Sequence, residues 1–277
     1  MRRPLSLITF DPMRTMGIPG VTYIKPENAH LNLKQLLQAD WLLFPPYWLA
    51  NALYYGIKRP VFPSISAYHL GHNKIEMTRA VQLLWPAHMP RTAILANTGQ
   101  ARSRVLEQFD FPFVAKAAKD SMGRGVWRIS DRYAWRQYVD AHDVLYVQEL
   151  LPIDRDLRLV VVGRRVVAGY WRRGRKGAFH TNVSRGGRID PSNIPEAAVV
   201  LVEQMAQQLA VDHAGFDVAC AYGRFYFFEF NRLFGSAGLK EMGVSIGPLI
   251  RDYLETETAM ELDSKAKGRP VEYDMAS

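Results

Sequence analysis

Cysteine is almost absent: Cys220 is the one thiol in 277 residues, which excludes an intrachain disulfide and a cysteine-based zinc cluster and fits a reducing compartment. Its apolar neighbours mark it as an inert buried thiol. A long apolar run is also missing. The most apolar window, Trp41 to Ile57, is broken by Pro45-Pro46 and holds Asn51 and Gly56, short of the ~20 uninterrupted apolar residues of a membrane span. Leu5 to Phe10 is cut off by Asp11-Pro12, too brief for a secretory segment, so the expectation is a cytoplasmic protein without membrane contact. Repeats and low-complexity stretches are lacking, which argues against solenoids and arrays. There is no Walker A loop, because Gly125 is followed by Val126-Trp127, and Ser184 lacks a Gly-x-Ser-x-Gly setting. Histidines at ligand spacing are missing too, which leaves His180 as a hydrogen-bonding residue.

Acidic residues are the scarcer charge. Twenty-seven Asp and Glu against 35 Lys and Arg give a net charge of +8, which favours anionic partners. The basic residues crowd between Arg155 and Arg188 without interleaved aromatics. A stacking platform for bases needs those aromatics, so a phosphate-handling pocket is the better reading and nucleic acid the poorer one.

The chain has 48% hydrophobic and 22% charged residues, enough for one large domain or a few lobes with shared cores. Residues 5–10, Trp41 to Phe44 and Val61-Phe62 read as strands and Leu31 to Gln38 as a helix, a small α/β lobe over 1–72. From Asn73 the spacing of Ile75, Met77, Val81 and Leu84 is helical and stops at Pro86 and Pro90. Strands at Phe111 to Lys116 and Val126 to Ile129, a helix from Arg132 to Ala141 and a strand at Leu145 to Gln148 make a second lobe over 73–147. A third, over 148–261, begins with a hairpin of Leu157 to Val162 and Arg165 to Tyr170 turning at Gly163-Arg164. A helix from Pro195 to Leu209 follows, then a second hairpin of Gly215 to Ala221 and Phe225 to Asn231. The charged tail, 262–277, reads as loose. The class is α+β.

The sharpest chemical feature is Asp217 with Glu229-Phe230-Asn231. Residues two apart on a strand share a face, so Glu229 and Asn231 point together. A three-residue loop, Tyr222-Gly223-Arg224, places Asp217 opposite Glu229. Opposed carboxylates repel unless a cation lies between them, and an Asp, a Glu and an Asn offer the hard oxygens that magnesium prefers. The surrounding Phe225, Phe227, Phe228 and Phe230 set these groups in a largely buried hairpin, where unpaired carboxylates are costly.

Three further features are weaker taken singly. Lys116, at the end of an apolar strand, is followed by Lys119 and Gly123-Arg124-Gly125, a lysine and glycines that can approach phosphate, or a plain turn. Tyr146 to Leu151 ends in Gln148-Glu149-Leu150, with Asp156 and Arg158 sharing a strand face beyond; this can wall a purine, or be a surface ion pair. Arg172-Arg173, Arg175 and Lys176 precede His180-Thr181-Asn182 and Arg185-Gly186-Gly187, which suits a developing anionic centre, or a solvated basic loop.

In their joint order and spacing, from Asn73-Lys74 and Pro90-Arg91-Thr92 through these motifs to Gly247, the residues resemble the RimK-like branch of the ATP-grasp superfamily. The resemblance implies an ATP-grasp fold behind a small N-terminal α/β lobe, and an ATP-dependent ligase joining a carboxylate to an amine through an acyl phosphate. It implies ATP between two lobes, with Lys74, Lys116, Gly123 and Gly125 at its phosphates, Glu149 and Leu150 at the adenine and Asp156 near the ribose. His180, Thr181 and Asn182 match a segment lining the phosphates. Asp217, Glu229 and Asn231 match the ligands of magnesium, with manganese as an alternative. Arg158, Arg172, Arg173 and Asn182 are the catalytic candidates, Arg172 or Arg173 steadying the reacting carboxyl group and Arg158 meeting a substrate carboxylate. The partners implied are ATP, a carboxylate and an amine, one of them a peptide or protein; a homo-oligomer stays open. An ATP-grasp kinase and a non-catalytic basic binding module are the competing readings. Two departures bear on substrate: His180 stands where ribosomal-protein glutamate ligases carry arginine, and Arg232-Leu233-Phe234-Gly235 replaces a stretch of small residues and proline. The bulkier loop reshapes the acceptor side and speaks against glutamate.

Overall fold

Short apolar runs near the N-terminus, each closed by proline or a polar turn, form a parallel sheet in a computed structural model that describes residues 3–118, 125–174 and 188–266. Its strands are β1 (Leu7–Thr9), β2 (Val21–Tyr23), β3 (Trp41–Leu43) and β4 (Val61–Phe62), in the order β2-β1-β3-β4. Parallel neighbours need crossovers. These run through a 3-10 segment, Pro26–Asn32, into α1 (Leu33–Gln38), and through α2 (Tyr47–Asn51) with a π-helical turn, Ala52–Gly56. The helix expected over 31–38 is therefore α-helical only in its second part, because Pro26 opens a tighter 3-10 coil before it.

Two capped helices lead out of this sheet. Ser64 accepts from the Ala67 amide to start α3 (Ile65–Leu70), and Asn73 accepts from the Ile75 amide to start α4 (Lys74–Leu84). The second sheet follows from β5 (Thr92–Ala96), α5 (Gly99–Gln108), β6 (Phe113–Lys116), β7 (Val126–Ile129), α6 (Arg132–Ala141) and β8 (Val144–Glu149), antiparallel in the order β5-β8-β6-β7. Neither β5 nor α5 is anticipated from the sequence. Phe113, Ala115, Trp135, Tyr138 and Val147 fill the core of this unit.

The third sheet contains β9 (Arg155–Val162), β10 (Arg165–Arg173), β11 (Arg188–Asp190), β12 (His213–Ala221) and β13 (Arg224–Asn231), with α7 (Glu196–Gln208) between β11 and β12. Its order is β11-β10-β9-β12-β13, antiparallel throughout. One face is apolar: Leu157, Leu159, Val161, Phe216, Val218 and Phe227 pack against Val202 and Met205 of α7 and Met77 and Val81 of α4. The chain continues through α8 (Ala237–Glu241) into α9 (Ile246–Ala266), whose Ile250 and Leu254 pack against Leu7, Leu43, Phe62 and Val162. The first and third sheets thus share a core. The tail expected to be loose from residue 262 is helical to Ala266; the remainder lies outside the described residues. Among the described residues no helix is long and apolar enough to cross a membrane.

The β12–β13 hairpin turns more tightly than its sequence suggests. Tyr222 (φ 51°) and Gly223 (φ 71°) form a two-residue turn, with Ala221 paired to Arg224. Positive φ at both central residues is the geometry that matches strand twist in a hairpin. The register then shifts between Asp217 and Val218, which pair with Glu229 and Phe227, so Phe228 is the extra residue of a bulge. Asp217 still faces Glu229, because the bulge restores the residue that the shorter turn removes. Cys220, expected to be buried, is exposed on this hairpin.

Candidate active site

The polar face of the third sheet carries a row of side chains across four strands. Pairing places Glu229 of β13 beside Asp217 of β12, Asp217 beside Arg158 of β9, and Arg158 beside Tyr170 of β10. Asp156 and Arg172 form the next pair along β9 and β10. Asp156, Arg158, Arg172 and Asp217 are all buried, so their charges must compensate one another.

They do so as a four-membered network. Arg158 grips Asp217 with two bonds, Nε to Oδ1 at 2.5 Å and Nη2 to Oδ2 at 3.0 Å. Arg172 reaches the same Asp217 Oδ1 at 2.9 Å and holds Asp156 through both oxygens, at 2.8 and 2.5 Å. Burial pushes the Asp217 carboxyl up, but the two guanidinium groups outweigh it and hold it below the ordinary carboxylate range. Gly215 makes the grip sterically possible. A Cβ there would fall 2.6 Å from Arg158 Nη1 and 3.0 Å from Phe234 Cβ, so only glycine lets the guanidinium lie against β12.

Glu229 is matched from a different direction. Lys74, the first residue of α4, places Nζ 2.5 Å from Glu229 Oε2, and the Asn231 amide donates to Glu229 Oε1 at 3.2 Å. Burial raises the Glu229 carboxyl; Lys74 and, more weakly, Lys116 override it and bring it down. The Lys74 amide donates to Ala118 O at 3.2 Å, which ties α4 to the second sheet where β6 ends.

Lys116 ends β6 and is buried. Its Nζ lies 5.5 Å from the Tyr146 ring centroid and 5.6 Å from that of Phe228, distances at which an ammonium gains from an aromatic face. Burial lowers its pKa to about 8; Glu229 opposes the shift and Lys74 reinforces it. Tyr138 holds the strand end in place, donating to Lys116 O at 2.9 Å while accepting from the Tyr146 amide at 3.1 Å. The sequence marks Tyr146 and Phe228 as strand residues but not as neighbours of Lys116, although strand alternation puts Tyr146 on the same face as Gln148, both of them buried.

Lys74, Lys116, Asp156, Arg158, Arg172, Asp217, Glu229 and Asn231 are therefore gathered where the second and third sheets meet. Arg173 is not among them. As the neighbour of Arg172 on one strand it faces the other way, exposed and 2.9 Å from Asp154. Asp156 is a buried counter-ion to Arg172 and its pair with that arginine is no surface bridge. Glu149 accepts from the Arg91 amide at 2.7 Å and its own amide donates to Arg91 O at 3.0 Å, closing the end of β8, with Leu150 half-buried beside it. Gly125 accepts from the Ala117 amide at 2.7 Å at the base of the β6–β7 connection. Gly123, His180, Thr181 and Asn182 lie outside the described residues.

A model of the RimK-like ATP-grasp domain matches residues 73–254, well over half of the chain. The protein belongs to the RimK-like ATP-grasp family. Relatives include the ribosomal protein bS6–L-glutamate ligase of Escherichia fergusonii, 33% identical over 165 residues that make up 57% of this chain and 55% of that protein. A probable alpha-L-glutamate ligase of Klebsiella pneumoniae is 28% identical over 199 residues, 69% of this chain and 66% of that one. The matched part is thus little more than half the length of the first of these relatives. Among solved structures, a RimK domain ATP-grasp protein from Sphaerobacter thermophilus superposes with a TM-score of 0.61 at 18% identity, over 78% of this chain and 81% of the other. The D-alanine–D-alanine ligase of Bacillus anthracis complexed with ATP gives 0.65 at 11% identity, over 95% and 100%. Likeness at such identities is a likeness of fold, and the fold is ATP-grasp. In this RimK-like chain the family match begins at Asn73, so the parallel sheet of residues 7–62 precedes it.

Proposed function

We propose that the protein is an ATP-dependent carboxylate–amine ligase, joining an amino acid to a peptide, a protein or a small carrier in the cytoplasm. The observation that carries this reading is the meeting of Asp217 and Glu229, opposed across a hairpin, with Lys74 and Lys116 beside them in a chain of RimK-like ancestry. The donor set fits a hard divalent cation. Among the described residues no three His, Cys, Asp or Glu side chains gather as a metal site, but the two carboxylates with the Asn231 amide oxygen supply the oxygens that magnesium or manganese takes. When bound, the ion would spread the negative charge of the phosphates.

The protein's part is to position and neutralise. A substrate carboxylate attacks the γ-phosphate of ATP, giving an acyl phosphate and ADP; an amine then attacks the acyl carbon and phosphate leaves. Lys116, with no direct carboxylate partner among the described residues, is suited to take phosphate charge, and Lys74 is suited to exchange Glu229 for a phosphate oxygen. Arg172, preorganised by Asp156, is the group for the reacting carboxyl. Arg158 is engaged by Asp217 through both bonds and acts by positioning that carboxylate. Glu149 and Leu150 fall on the adenine side in this assignment, Gly123 and Gly125 over the phosphates, and His180, Thr181 and Asn182 along them.

Incubation with ATP, magnesium and a library of acids and amines, followed by mass spectrometry, tests the reading. Amine-dependent ADP release with an amide product is the expected result. A phosphorylated product that persists with every amine would instead make the protein a kinase. A pH signature accompanies it. Because Lys116 has a pKa of about 8 in the free protein and phosphate favours the ammonium form, nucleotide binding is expected to take up protons at pH 8 to 9 and far fewer at pH 6. Calorimetry in buffers of different ionisation enthalpy measures the uptake; equal uptake at both pH values would remove Lys116 from the phosphates.

A further inference from the structure

A second basic site lies just past Asn231, outside the machinery assigned above. In an open parallel sheet, ligands collect beyond the carboxyl ends of the strands, where strand order reverses. Here β2 is added on one side of β1 and β3 on the other, so the crevice opens between the residues that follow β1 and β3, Phe10-Asp11 and Phe44-Pro45. Tyr68 donates its hydroxyl to Pro45 O at 2.5 Å, which sets its ring at this place. Arg232 stacks on that ring, its guanidinium carbon 4.1 Å from the centroid, while its carbonyl accepts from His213 Nδ1 at 2.9 Å.

Arg14, from the loop after β1, brings a second guanidinium to the same spot. Arg232 is half-buried, and Arg14 and Asp11 lie near enough to act electrostatically on the Tyr68 hydroxyl beside it. The acid at hand is Asp11, 3.6 Å from Arg14 Nε, and its Oδ1 is occupied by the amides of Met13 and Arg14. Arg232 forms no ion pair among the described residues. Of these two guanidinium groups only Arg14 has that carboxylate as a partner, so the half-buried Arg232 calls for an anion. Lys74 and Lys116 already address phosphate, and a planar fork matches a carboxylate.

We propose that Arg232, assisted by Arg14, binds a carboxylate of the amine substrate, one that is not activated in the reaction, and so selects amino acids or peptides with a free carboxylate. This rests on the ligase reading and specifies its acceptor. The loop Arg232-Leu233-Phe234-Gly235 is then the specificity element.

Thermal unfolding of the full chain with L-alanine, L-glutamate and succinate, with alaninamide and succinamide as uncharged counterparts, and separately with magnesium ATP, tests the proposal in the parent, Arg232→Gln and Arg14→Gln. The carboxylates should raise the parent Tm and the amides should not; the rise should vanish in Arg232→Gln and shrink in Arg14→Gln, with stabilisation by ATP intact in all. With an amine substrate in hand, its KM should rise roughly 10- to 100-fold in Arg232→Gln, the loss for a charge-assisted hydrogen bond, at unchanged KM for ATP. A parent that ignores every carboxylate, or an Arg232→Gln protein that responds like the parent, overturns the inference. So does loss of ATP stabilisation in Arg232→Gln, which would put the arginine on phosphate. A parent stabilised by carboxylates but not by ATP would sink the ligase reading and leave the carboxylate site standing.

Discussion

Asp217→Ala is expected to destabilise the fold by about 3–5 kcal/mol, the range for removing one member of a buried ion-pair network, and to end amine-dependent ADP release. Three hydrogen bonds from Arg158 and Arg172 converge on this carboxylate, and all three side chains are buried. Without it Arg172 keeps Asp156, while Arg158 is left as a buried cation with no ion-pair partner among the described residues. Adding Arg158→Met to Asp217→Ala should therefore recover part of the stability without recovering activity, a coupling that urea unfolding of the two singles and the double reads directly. The acid limb gives a second check. The folded Asp217 carboxyl titrates below its unfolded value, so its contribution is complete above about pH 4 and is lost as pH falls through the lower folded value. Asp217→Ala should lose less stability than the parent over that interval. An alanine variant as stable as the parent would mean that these charges are not desolvated.

The pairing of Asp217 with Glu229 is legible in the sequence through strand alternation, yet by a route that the structure revises. The spacing suggests a three-residue turn. The chain uses two residues, with Tyr222 in a left-handed conformation that side chains other than glycine rarely adopt, and a bulge at Phe228 returns the register. What stands beside Asp217 is less legible, because the pairing of β9 with β12 joins residues some 60 apart in the chain and no local pattern encodes it. Sequence can say that Arg172 and Arg173 face opposite ways; it takes the sheet order to say that Arg172 faces inward. Strand β5 and helix α5 escape because Thr92–Ala96 has two alanines and Ile94 as its one β-branched apolar residue, and α5 has few apolar positions to mark a face. Cys220 is misread for a related reason: an apolar neighbourhood on a strand includes its outward-facing positions. The two hairpins of the third sheet, by contrast, are legible from β-branched and aromatic runs and the turns between them.

Lys116→Met is the variant in which folding and function should part. The ammonium is buried between Tyr146 and Phe228 and has no direct carboxylate contact among the described residues; its lowered pKa records that the folded protein disfavours its charge. Below pH 8 the lysine is charged in both the folded and unfolded states, so the penalty is fully present; above about pH 10.5, the unfolded value, it is neutral in both and the penalty is gone. Methionine has a similar volume and no charge to bury. The variant's Tm should accordingly exceed the parent's at pH 7, with the difference closing as pH rises from 8 to 10.5. Turnover should move the opposite way, kcat falling by roughly 10²–10³-fold, the loss found when one preorganised electrostatic donor is removed from a developing charge. A residue kept for packing cannot produce that combination, since its loss would lower Tm and spare kcat. A Lys116→Met protein that is less stable at pH 7 and turns over normally would place the lysine in the core's service and strip the phosphate site of its central cation.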